Sequence, residues 1–215
     1  MRFIDLSHTI SDAMVTYPGL PGPIISDHLS RAASRDRYAP GTEFQIGRID
    51  MVANTGTYID TPFHRFAGGH DLSALALARV ANVAAVLVDA TGPAIDADAF
   101  AGLELADRAV IVRTGWDRHW GTPAYGAGGH PHLTAAAARA LVDAGVAVVG
   151  IDSVNIDGTS TGERPVHTAL LAEGIPIVEH LRGLEQIPSG PFTFTAVPVK
   201  VAGMGTFPVR AFAAI

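Results

Sequence analysis

The stretch "LTAAAARALVDAGVAVVGID", residues 133–152, decides the fold class. Thr134 precedes an alanine-rich segment, 135–144, which ends at Gly145. A threonine hydroxyl accepts the orphan amides that open a helix, and glycine takes the left-handed conformation that closes one. A helix over 135–144 is therefore expected. "VAVVGID" behind it has the β-branched density of a buried strand. A helix passed directly to a buried strand is the signature of an α/β layer.

The same pattern extends outward in both directions. "HTALLAEG" (167–174) reads as a second helix, and "IPIVEHL" (175–181) as a strand ending near Glu179. "NVAAVLVDA" and "RAVIVRTG" are short buried strands, while "EFQIGRIDMVA" alternates loosely enough for one or two more. "PFTFTAVPVKVAG" and "FPVRAFAAI" close the chain as strands, with Lys200, the only lysine, on the outward face of the first. Near the start, Pro18, Pro21 and Pro23 impose turns and extended chain. No repeat and no linker interrupts this order, so residues 1–215 are read as one α/β domain with a mixed sheet.

Composition narrows the function. Hydrophobic residues make up 48% and charged residues 17%, which suits a well-buried globule. No apolar run reaches the roughly 18 residues of a membrane span, and "MRFIDLSHTI" lacks a signal peptide's apolar region. A cytoplasmic protein with no membrane partner is expected. A net charge of −6 without a Lys/Arg run argues against nucleic acid, which needs clustered positive charge. The absence of cysteine removes disulfides, thiolate nucleophiles and Cys-type zinc sites together. Any metal must be held by His, Asp, Glu, amide, phenol or water, a donor set suited to Zn²⁺ or Mn²⁺. The glycines of "AYGAGGHPHL" follow no strand and precede no GK[ST], so they form a loop and not a phosphate cradle. "DADAFAGLE" begins like a calcium loop but lacks the later ligands, and is read as a capped turn.

One segment carries chemistry: "NTGTYIDTPFH", Asn54 to His64. Asp60 and His64 flank a Thr-Pro step whose restricted backbone could hold two ligands in fixed relation. Spacing alone favours a turn in which Asp60 bonds local amides and His64 lies at the surface. His167 at a helix start and Glu179 at a strand end would complete a two-His, two-carboxylate set, if the fold brings them together.

The chain resembles the cyclase family, the bacterial kynurenine-formamidase-like metal-dependent hydrolases, whose hallmark is H-x-G-T-H-x-D-x-P-x-H. "IDLSHTISDAMVTYPG", "HRFAGGHDLS", "VRTGWD", "AGVAVVGIDSVNID", "VHTALLAEGIPIVEHL" and "VPVKVAGMGTFPVRAFA" resemble further family segments in the same order. The resemblance implies a compact α/β fold related to swivelling β/β/α domains, with a mixed sheet or partial barrel, assembled as a homodimer or homotetramer. It implies hydrolysis of a small cyclic or aryl amide, lactone or formamide. Carried over by position, it makes Asp60, His64, His167 and Glu179 metal ligands, and sets Asn54 and Tyr58 where the first two motif histidines stand.

An amide oxygen is a weak zinc ligand, and a phenol must ionise from a pKa near 10 to bind well. One divalent ion is therefore expected where the template holds two. Tyr58 would donate to an oxyanion or leaving group, His64 would share the catalytic work, and Asn54, Tyr17 and Arg65 would contact substrate. Two other readings remain open: a cyclase, dehydratase or isomerase using Tyr58 as acid or base with little metal, and a non-catalytic small-molecule binder.

Overall fold

A computed structural model describes residues 1–215. Thirteen strands form it: β1 Phe3–Asp5, β2 Ile24–Leu29, β3 Ile46–Asp50, β4 Tyr58–Asp60, β5 Val83–Asp89, β6 Ala94–Ile95, β7 Ala109–Arg113, β8 His132–Leu133, β9 Val148–Ile151, β10 Ile177–Glu179, β11 Phe192–Thr195, β12 Thr206–Pro208 and β13 Phe212–Ala214. Three helices accompany them: α1 Arg31–Ser34, α2 Ala135–Asp143 and α3 Pro165–Ala172. Nine strands make one sheet in the order β1-β13-β11-β5-β7-β9-β10-β4-β12, curled into a half-barrel. Its centre, β5-β7-β9-β10, is parallel, and both wings are antiparallel.

Parallel strands need cover on both faces, and the alternation of side chains supplies it. In β7, Ala109 and Ile111 enter one apolar layer with Ile59, Val178 and Phe194, while Val110 and Val112 enter another beneath the helices. Leu141 of α2 and Leu170 of α3 fill that second layer. The deciding stretch folds as read: Thr134 Oγ1 accepts from the Ala137 amide at 3.1 Å, and Gly145 takes φ +68° just past α2. α3 starts two residues before its expected beginning because Pro165 sits well in a first helical turn, where an amide would lack a partner.

One strand expectation is met at the periphery and one changes. "EFQIGRIDMVA" contributes one strand, β3, which pairs with β2 in a separate exposed ribbon and not with the main sheet. A loose alternation does not distinguish a central strand from a ribbon with both faces open. "PFTFTAVPVKVAG" is a strand only as far as Thr195; beyond it Pro198 bridges Val209 alone, and Lys200 is exposed on irregular chain. Proline cannot donate to a ladder, which ends the strand there. Asp96 caps a short turn, accepting from the Ala97 amide at 2.8 Å. No helix is long and apolar enough to cross a membrane.

Candidate metal site

Strand alternation builds the site. Ile59 points into the apolar layer opposite the helices, so its neighbours Tyr58 and Asp60 point to the helix side. Register adds the partners: Glu179 of β10 lies opposite Tyr58, and Thr206 of β12 lies opposite Asp60. Directly paired residues share a face. The first turn of α3 then lowers His167 onto that face. Past β4, the Thr61 amide donates to the Gly205 carbonyl at 2.7 Å, and Pro62–His64 form one tight turn. That turn brings His64 back over Asp60 as the exposed rim of the cluster.

One donor atom from each of Asp60, His64 and His167 lies within 4.8 Å of the others. Asp60 Oδ2 stands 3.7 Å from His167 Nε2, and Glu179 Oε1 stands 3.6 Å from the same nitrogen. Neither separation is a hydrogen bond. Asp60 is fully buried, and its Oδ2 has no hydrogen-bond partner. An unpartnered buried carboxylate oxygen is costly, and a cation is the ordinary remedy.

The surrounding bonds orient the donors. Asp157 Oδ2 accepts from His167 Nδ1 at 2.7 Å, which turns Nε2 toward Asp60. The same carboxylate accepts the Val166 and His167 amides at 2.8 and 3.0 Å, so it caps α3 as well. Burial works against the charge on Asp157, but these donors hold its carboxyl below the usual range. Thr206 donates its proton to Asp60 Oδ1 and lies 2.8 Å from His64 Nδ1. Its proton being used, it accepts from Nδ1–H and leaves His64 Nε2 with a free lone pair. Two oriented imidazoles, an unpartnered carboxylate oxygen and a carboxylate–histidine contact behind one of them fit a divalent ion. Without one, burial opposes an imidazolium at His167, yet Asp157, Asp60 and Glu179 outweigh it and lift the pKa to about 10. A proton then occupies the place a metal would take.

The fourth expected ligand is placed differently. Glu179 is buried beside the cluster, but Oε2 accepts from the Tyr58 hydroxyl and Oε1 from the Ile156 amide, both at 2.7 Å. Burial and the neighbouring carboxylates keep Tyr58 a neutral phenol, its pKa raised well above 10, while its contact with the Asn54 side chain works the other way. The expected Tyr58 donor is thus already engaged. Tyr17 is half-buried, and burial followed by the charge of Glu179 raises its pKa. Arg65 Nε donates to Thr168 Oγ1 at 3.3 Å, and the guanidinium lies over Phe66.

Sequence reasoning missed Asp157, Thr206, His180 and Tyr125. His180 is fully buried with φ +57°, its Nε2 3.3 Å from the Tyr58 hydroxyl and its Nδ1 2.8 Å from that of Tyr125. Tyr125 and Trp120 also line a cavity of about 550 Å³ with Met14, Val15 and Pro18. Trp120 stacks on His8 at 3.6 Å. Only the Asp in "NIDG", ten residues before His167, offered a sequence signal, and its meaning depends on the helix start.

The sequence and the fold have relatives among known proteins. A family model for cyclases matches residues 4–158. The kynurenine formamidase of Salinibacter ruber is 28% identical over 217 residues, covering 98% of this chain and 96% of its own. A solved structure described as a potential metal-dependent hydrolase with cyclase activity superposes with a TM-score of 0.79 at 26% identity, covering 99% of this chain and 96% of that one. Isatin hydrolase A from Labrenzia aggregata shares the fold, with a TM-score of 0.82 at 22% identity over 99% of this chain and 93% of its own.

Proposed function

Because the chain belongs to the cyclase family, we propose that it is a metal-dependent hydrolase of a C–N bond in a small cyclic or aryl amide or formamide, with a lactone as the related ester substrate. The observation that carries this reading is the buried Asp60 Oδ2, unpartnered and facing the free nitrogen of His167. Asp60, His64 and His167 would hold one divalent ion, Zn²⁺ or Mn²⁺, with Glu179 beside them. Such an ion supplies Lewis acidity to a carbonyl and acidity to water. The chain's own residues do the rest. Asp157 keeps His167 in one tautomer, Thr206 ties Asp60 to His64, and exposed His64 marks the side from which substrate arrives.

Asn54 and Tyr58 stand on the ground where a second ion would need two imidazoles. A buried phenol held neutral by its surroundings is a poor ligand, so we assign one ion per chain. The engaged Tyr58 hydroxyl gives no support to a metal-free acid–base reaction. The test is metal analysis of the purified protein followed by hydrolysis assays on N-formylkynurenine and on cyclic aryl amides. One ion per chain with turnover of an amide that chelation abolishes is the expected result. Strong formamidase turnover with two ions per chain would overturn the one-ion reading.

A further inference from the structure

Counting protons along the buried chain Glu179–Tyr58–His180–Tyr125 leaves a single consistent direction. Burial works against charge on Glu179 and pushes its carboxyl up to about 7, but Oε1 accepts the Ile156 amide and Oε2 the Tyr58 hydroxyl, each at 2.7 Å, so both oxygens act as acceptors. A carboxylate only accepts, and its Oε2 lies 2.7 Å from the Tyr58 hydroxyl. Tyr58 therefore spends its one proton on Glu179. The contact between the same hydroxyl and His180 Nε2, at 3.3 Å, then requires the imidazole to be the donor. His180 is fully buried and bonds no carboxylate, so it is neutral and carries one proton, which this contact places on Nε2. Nδ1 is left as an acceptor, and Tyr125 donates to it at 2.8 Å.

We propose that His180 and Tyr125 are positioning residues that hold the Tyr58 hydroxyl with its proton on Glu179. The phenol oxygen accepts from His180 Nε2 while its proton goes to Glu179, so the hydroxyl is held from both sides. Tyr58 is thereby withdrawn from substrate and fixed where a second metal donor would stand, and Glu179 Oε2 is kept from an ion. The geometry explains the left-handed backbone at His180, φ +57°, which is unusual for a residue with a side chain. Strand alternation alone would turn residue 180 to the face opposite Glu179; a left-handed residue just past β10 departs from that alternation and allows both side chains to meet Tyr58. Tyr125, reaching His180 from the loop after the "GW" turn, couples this arrangement to the wall of the 550 Å³ cavity.

The assignment goes beyond the hydrolase reading and is decided by spectra that need no substrate, so either can fail without the other. The test is NMR of the full chain with ¹⁵N-labelled histidine, in the wild type and in Tyr125→Phe. Wild-type His180 is expected as the Nε2–H tautomer, with a Tyr58 hydroxyl proton that exchanges slowly with solvent. Tyr125→Phe keeps the ring and removes the donor to Nδ1. Loosening His180 by one hydrogen bond should speed exchange of the Tyr58 proton by about 2- to 10-fold. A His180 protonated on Nδ1 in the wild type would overturn the proposal. So would a Tyr58 proton that exchanges equally in the wild type and in Tyr125→Phe.

Discussion

Gly205→Ala should damage both the fold and the candidate metal site, for a reason that can be worked from distances. Gly205 packs directly against the turn that carries His64. A Cβ added there would lie 2.5 Å from the His64 Cα and 2.7 Å from the Phe63 carbonyl carbon. Both neighbours are backbone, which cannot rotate aside. The Gly205 carbonyl also accepts the Thr61 amide at 2.7 Å and the Thr61 hydroxyl at 3.0 Å. Relief of the clash must separate the two segments and weaken those bonds. Overpacking of this kind costs about 1–3 kcal/mol, and each weakened hydrogen bond roughly 0.5–1.5 kcal/mol. A loss of about 2–6 kcal/mol is expected in urea unfolding. Displacing His64 from Asp60 should also weaken Mn²⁺ or Zn²⁺ binding measured by calorimetry, since ligand geometry tolerates little drift. Gly68→Ala is the matched control, because an added Cβ there meets nothing within 4 Å. If Gly205→Ala unfolds at the same urea concentration and binds metal as tightly as Gly68→Ala, the claim that this close approach sets the His64 turn is wrong.

Two further outcomes follow from the buried charges. Asp157→Asn removes the charge behind His167 and one of the two oxygens that accept around it, and metal affinity should fall about 10- to 100-fold in titration calorimetry, whereas an unchanged affinity would deny Asp157 that role. His180 has its pKa lowered to about 3 by burial and by neighbouring His8 and His130, so the unfolded chain binds its proton more readily. Stability from this group is complete above pH 6.5 and is lost as pH falls toward 3, by about 2 kcal/mol at pH 5. Urea midpoints between pH 7 and 5 should therefore fall more steeply in the wild type than in His180→Gln; parallel slopes would refute the assignment.

Much of the fold was legible because its signals are local. Thr134 and Gly145 bound a helix by their own chemistry, and the runs around Val86, Val110 and Val149 announce buried strands without knowledge of their neighbours. The peripheral ribbon and the break at Pro198 were harder, since pairing and exposure depend on where the main sheet ends. The site divides the same way. Asp60 and His64 sit in one rigid segment and stand out. Glu179 lies 121 residues from the tyrosine it meets, and Thr206 lies 146 residues from Asp60. Those meetings are set by strand order and register, which no spacing along the chain encodes.

The substitutions in "NTGTYIDTPFH" gain a different meaning from this geometry. Read along the chain, Asn54 and Tyr58 are losses, two imidazoles exchanged for an amide and a phenol. In the folded molecule Tyr58 occupies a place already supplied with partners: a carboxylate to take its proton and an imidazole to satisfy its oxygen. A phenol left alone at a fully buried position beside two carboxylates would be a liability. His180, from a backbone conformation that few residues adopt, answers that requirement, and Tyr125 satisfies His180 in turn. Tyrosine at residue 58, where the hallmark that this segment resembles has histidine, is therefore accommodated by at least two other side chains. A Tyr58→His change whose free nitrogen bound an ion would leave His180 Nε2 without its acceptor, so two ions per chain in metal analysis should require His180 to change as well.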